Sequence, residues 1–143
     1  MTNSVLCAVD ISNGDLDVDV LKTAATLADR DKAQLDVVTV LPDFGESWVS
    51  GFFEADFHEK AIEEARAKLM GMCISALGSD RNEKIRHVIA TGTAYQEILK
   101  TAESAGSDLI VIGAHKPDLK DYLLGPNAAR VVRHSTVSVY VVR

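Results

Sequence analysis

The sequence has no surplus of basic charge. Fifteen Lys and Arg stand against 21 Asp and Glu, a net charge of −6, and a nucleic-acid backbone demands a clustered Lys/Arg surface that this balance does not supply. Cysteine is sparse: Cys7 sits in an apolar run and Cys73 in a helical pattern, the setting of small buried hydrophobes rather than of a disulfide pair or metal ligands. No apolar stretch reaches the roughly twenty residues of a bilayer-spanning helix. The opening MTNSVLCAVD has neither the basic region nor the long apolar core of a leader, so a cytoplasmic protein without membrane insertion is expected. Walker A, G-x-S-x-G and H-E-x-x-H patterns are absent, and no pair of the four histidines has metal-ligand spacing. Binding is therefore expected over turnover. With no repeat, low-complexity tract or linker, 143 residues of which 47% are hydrophobic read as one domain, 1–143.

What is present alternates. Residues 5–9 form a continuous apolar run, the mark of a strand covered on both faces in a parallel sheet. Asp10 ends it, and a turn at Ser12, Asn13 and Gly14 leads into a helix over about 16–29 with Val20, Leu21, Ala24, Leu27 and Ala28 on its apolar face. A second strand, 35–41, closes at Pro42. An irregular stretch to about residue 56 precedes an amphipathic helix over about 57–77, stopped by Gly78. The third strand is 85–90. Gly92 breaks it, and Thr93 with Gln96 forms a capping box for a helix over 94–105. Strand 109–112, helix 126–134 and strand 137–142 complete a β-α-β-α-β-α-β-α-β order, which implies an α/β fold with a parallel sheet and helices on both faces.

One stretch, IGAHKPDLKDYLLGPNAARVV over residues 112–132, joins a strand end to a helix start through a polar loop. A helix N-terminus has unpaired N–H groups and partial positive charge, so this layout suits an anion. With a first strand ending at Asp10 and a second ending Thr39-Val40-Leu41-Pro42, the whole chain resembles the universal stress protein family. That resemblance implies a flavodoxin-like, Rossmann-like doubly wound sheet of five strands in the order 3-2-1-4-5. It also implies ATP binding through a G-x-x-G, nine-residue spacer, G-S/T pattern. Gly113 matches the first glycine and Gly125 the last. Lys116 stands near the place of the second, the spacing is one residue short, and Pro126 replaces Ser or Thr.

In that strand order, strands 1 and 4 lie side by side with connections leaving in opposite directions, which opens a crevice at their carboxyl ends. Val9, Asp10, Ile112 and Gly113 would flank it. Gly113 and Gly125 would let backbone approach phosphates closely, the N–H groups of Asn127 and Ala128 would face them behind Pro126, and His115 and Lys116 lie in the loop between. Val40 would present its backbone to an adenine edge. Asp10 would accept from ribose hydroxyls or hold Mg²⁺, since a bare carboxylate repels a triphosphate; its alternative is a local cap on Asn13 or Gly14. For His115 and Lys116 the alternative is a solvated loop.

The functional expectation is a regulatory stress-response protein that binds ATP or another adenine nucleotide with Mg²⁺ and alters its contacts with an unidentified protein partner. The alternative is a dimeric interaction module that has lost nucleotide; slow ATP hydrolysis, a trait of parts of the resembled family, ranks last. Residues 136–142 are apolar on both faces at a sheet edge, so a homodimer through Val137, Val139 and Val141 is expected, as the resemblance also implies. Phe44, Trp48, Phe52, Phe53 and Phe57 crowd the stretch after the second strand, as a lid over the adenine, a partner patch or a cover for the core.

Overall fold

A computed structural model of the chain describes residues 2–42, 51–114 and 126–143, with the backbone alone at 13–15 and 51–57. Strand β1 (Ser4–Ala8) leads through a 3-10 turn (Ile11–Asp17) to helix α1 (Val18–Asp31) and strand β2 (Gln34–Leu41). Helix α2 (Gly51–Leu77) and a one-turn helix α3 (Ser79–Asn82) precede β3 (Arg86–Thr91) and α4 (Ala94–Ala105). Strand β4 (Leu109–Gly113), helix α5 (Pro126–His134) and strand β5 (Ser138–Val142) follow. The five strands form one parallel sheet in the order β3-β2-β1-β4-β5.

Strand alternation sends β1 side chains to both faces, and both faces are covered. Val5, Cys7 and Val9 join Leu21, Leu35, Val37, Leu69 and Cys73 in a core under α1 and α2. Leu6 and Ala8 join Val38, Ile98, Ile110, Ile112 and Val131 in a second core under α4 and α5. The two cysteines are free, buried thiols. Cys7 Sγ lies 3.9 Å from the Val20 carbonyl. Burial pushes the Cys73 thiol from 9.0 up to about 11, and burial, with Asp17 and Cys73 nearby, raises Cys7 well above its usual value. The folded state therefore holds its thiol protons where the unfolded chain releases them, so stability is fully present below pH 9.0 and falls as pH rises toward 11. Urea midpoints measured across that alkaline window should decline. At neutral pH a thiol reagent should label neither cysteine until the protein unfolds; labelling of the native protein would contradict the burial.

Two local expectations need correction. Helix α2 begins at Gly51, so only the first part of the stretch read as irregular precedes it. Nothing from Phe52 to Asp56 is a glycine or proline that would stop a helix. Phe52, Phe53 and Phe57 thus lie on a helix rather than a loop, while Phe44 and Trp48 lie outside the described residues. Thr93 stands at the N-cap of α4 in extended conformation, but its side chain makes no capping bond; Gln96 Nε2 instead donates to the Tyr95 hydroxyl at 3.2 Å. On β3, half-buried His87 places Nε2 2.7 Å from Oδ1 of buried Asn82. The break at Gly92 holds: its φ of +135° is the conformation glycine allows. An added Cβ would stand 3.2 Å from Glu97 Cγ.

Candidate functional site

β1 and β4 are neighbours, with Ala8 in register with Ile112. The chain leaves β1 for α1, over one core, and leaves β4 for α5, over the other. The sheet therefore has its switch point between the carboxyl ends of these two strands, where a crevice opens in doubly wound folds. Val9 and Asp10 follow β1 there, Ile112 and Gly113 end β4, and Val40 lies near the carboxyl end of neighbouring β2.

On the β1 side, Val9 is buried and its N–H donates to the Val38 carbonyl at 3.0 Å, the last bond of the β1–β2 ladder. Asp10 is exposed. Its Oδ1 accepts from Ser12 N at 2.9 Å and Ser12 Oγ at 2.5 Å, so it does cap the turn locally, at Ser12 rather than at Asn13 or Gly14. Among the described residues, its Oδ2 has no such bond. Asp10 is itself held from behind: its N–H donates to Oδ2 of Asp17 at 2.6 Å. Asp17 is buried and went unnoticed in the sequence. The 3-10 turn folds it back onto the strand end. An acid seven residues after Asp10 was the only signal.

On the β2 side, strand alternation turns Thr39 and Leu41 toward β3, and the Leu41 carbonyl accepts from Gly92 N at 2.9 Å. Val38 and Val40 turn their backbone groups toward β1. Val40 lies past the last ladder bond, so its N–H and C=O face the crevice with no β1 residue opposite them. Its side chain is half-buried and packs against the second core with Tyr95 and Ala90.

On the β4 side, Ile112 is buried in the second core and Gly113 ends the strand in register with Val142. His115, Lys116 and Gly125 lie outside the described residues. The helix resumes with Pro126 at its first position, where a missing N–H costs no helical bond and the fixed φ suits the turn. Asn127 is half-buried and Ala128 is buried against the sheet. A contact that sequence reasoning missed orients α5. The Arg130 guanidinium lies 5.3 Å from the Tyr95 ring centroid, and His134 stacks on the same ring at 5.8 Å. Residues 35 and more apart in the chain give no periodic signal of such a clasp.

Among the described residues β5 is an edge strand, paired with β4 alone. Val137, Val139 and Val141 are half-buried and pack on the second core, whereas Tyr140 is 47% exposed. One face of the strand is thus covered, Val142 packs on the first core from the other face, and Tyr140 stays exposed. Among the described residues no group of three or more His, Cys, Asp or Glu is set to hold a metal, and no helix is long and apolar enough to cross a membrane. Asp10 is a single carboxylate, which suits a cation that keeps most of its waters, as Mg²⁺ does.

Comparison with known proteins agrees with this geometry. The model of the universal stress protein family matches residues 1–143. Universal stress protein G of Shigella flexneri is 32% identical over 147 aligned residues, covering 100% of both chains. The structure of a protein of Methanocaldococcus jannaschii solved to assign its biochemical function superposes with a TM-score of 0.78 at 25% identity, over 98% of this chain and 94% of that one. A universal stress protein solved in complex with cAMP shares the fold at a TM-score of 0.70 and 19% identity, over 99% and 97% of the two chains. From its first residue to its last, this chain belongs to the universal stress protein family.

Proposed function

We propose that the protein binds an adenine nucleotide, ATP with Mg²⁺, in the crevice at the carboxyl ends of β1 and β4, and that the bound state changes its contacts with a protein partner in the cytoplasm. The observation that carries this reading is the open backbone edge at Val40. An N–H and a C=O side by side at the end of a ladder match the donor and acceptor edge of adenine, and the half-buried valine beside them offers an apolar surface to the ring. The cAMP bound by a fold neighbour supports the ligand class. Phosphates would then lie toward the first turn of α5, and Asp10 would use the carboxylate oxygen not committed to Ser12 for a ribose hydroxyl or a hydrated Mg²⁺. Calorimetry tests the reading: ATP with Mg²⁺ should release saturable heat, and no heat or thermal shift with ATP, ADP or AMP at millimolar concentration would overturn it.

Pro126 favours a second reading, a nucleotide-free dimeric module. It lacks the hydroxyl and the N–H that a serine there would offer, and hydrogen bonds to charged groups are worth roughly 1.5–3 kcal/mol each. Lys116 would offset part of that loss as a mobile point charge. Acid extraction of the purified protein separates the two readings by the identity and stoichiometry of any nucleotide released.

In both readings the protein forms a homodimer through β5, whose residues Ser138 to Val142 include no proline or charge to block edge pairing. Tyr140→Lys places a charge at an exposed position of that edge and should weaken the dimer roughly tenfold, read by sedimentation. Val139→Lys would instead disturb the core on which Val139 packs. A wild-type monomer at micromolar concentration would contradict the dimer.

A further inference from the structure

The amino-terminal ends of the strands, a strand length or roughly 25 Å from the crevice, carry a feature that nucleotide binding does not use. Two concavities of about 510 and 400 Å³ adjoin there and share Asp29 and Arg81 as a common wall. Lys32, Gln34 and Lys84 line the first, and Lys22 lines the second. In a chain of net charge −6, four cations thus line one groove, and Asp29 is the only acid among its lining residues. That acid is already committed: Oδ1 lies 3.0 Å from Arg81 Nη2.

Two observations indicate that the cations are not there simply to complete α1. The carbonyls of Ala28 and Asp29, two of the last four of that helix, already accept from Ala33 N at 2.8 Å and Lys32 N at 3.2 Å, so the left-handed cap at Lys32 closes the helix through its backbone. The Nε of Arg81 is buried and has no hydrogen-bond partner among the described residues. An unpaired buried donor costs free energy that an acceptor in the groove would recover.

From this we infer a second ligand site, a groove formed by Lys32, Arg81 and Lys84 that binds a small oligophosphate. A guanidinium fork recognises phosphate oxygens by direction, and flanking lysines act as point charges on neighbouring phosphates. Cations spread over two lobes fit a chain of phosphates better than one carboxylate. The site rests on no feature of the crevice.

Tripolyphosphate titrated into the full chain should shift the amides of residues 32–35 and 81–85 saturably in nitrogen-15 NMR spectra. The double variant Lys32→Asn, Lys84→Gln should weaken that binding roughly tenfold and leave its thermal midpoint in place. Both lysines are exposed, and asparagine tolerates the left-handed conformation of residue 32, whose φ is 54°. The inference is overturned by an absence of saturable shifts at those amides or by shifts confined to Val9, Val40 and Asn127. It is equally overturned by a variant that loses stability but binds as the parent does, or by inorganic phosphate binding as tightly as tripolyphosphate.

Discussion

Gly125→Val is expected to abolish ATP binding while leaving the fold intact. Gly125 directly precedes Pro126, the first residue of α5, and the proposed phosphates meet the chain there. A branched side chain at that position competes for space with the phosphate, and it hinders the approach of the unpaired N–H groups of the first helical turn. Losing two or more charge-assisted bonds should cost about 3 kcal/mol or more, over a hundredfold in affinity. Calorimetry should show no heat, while circular dichroism and the thermal midpoint stay close to the parent's. The reverse change tests the same position: Pro126→Ser restores a hydroxyl and an N–H, and should tighten ATP by roughly tenfold or more. Unchanged affinity in both variants would move the phosphates away from α5.

Arg86→Met should be the most destabilising change among the charged residues described. Asp36 is 1% exposed on β2, and Arg86 stands opposite it on β3 in the parallel register. Its Nε donates to Oδ1 and its Nη2 to Oδ2, each at 2.8 Å. The same hydrogen bonds and the charge of Asp36 raise the Arg86 pKa further above its already high value. Removing the guanidinium leaves a buried carboxylate with little but the Gln34 amide at 3.3 Å. Breaking a buried pair costs about 3–5 kcal/mol; with Arg86 60% exposed, water reaches the pair and about 3 kcal/mol is expected. In a domain of this size that lowers the thermal midpoint by about 10 °C. Adding Asp36→Leu should recover most of the loss, since an apolar pair leaves no charge stranded. A single variant within about 0.5 kcal/mol of the parent would mean that the pair behaves as an ordinary surface contact.

Much of the fold was legible because its signals are local. The runs at 5–9 and 109–112 read as strands, since buried parallel strands are apolar on both faces. The helix over Ala94–Ala105 was bounded correctly, and Gly106 beyond it stands in left-handed conformation at the C-cap. The site was legible only as a list of positions. Asp10, Val40 and Gly113 could be named from the ends of strands, but the partner of Asp10 could not: it depends on a 3-10 turn that carries buried Asp17 back to its N–H.

By itself the sequence determined the alternation of strands and helices, the identity of most core residues and the start of α5 at Pro126. These follow from periodicity and from residues whose backbone preferences act within a few positions. Only the tertiary structure decided which residues stand opposite one another. It paired Asp36 with Arg86, set Tyr95 against Arg130 and His134, and turned Val139 inward while leaving Tyr140 exposed. It also left Val40 past the end of a ladder, because β1 stops pairing at Val9 while β2 runs on to Leu41. Strand ends and registers are settled by the packing of the whole sheet, which no window of the sequence contains.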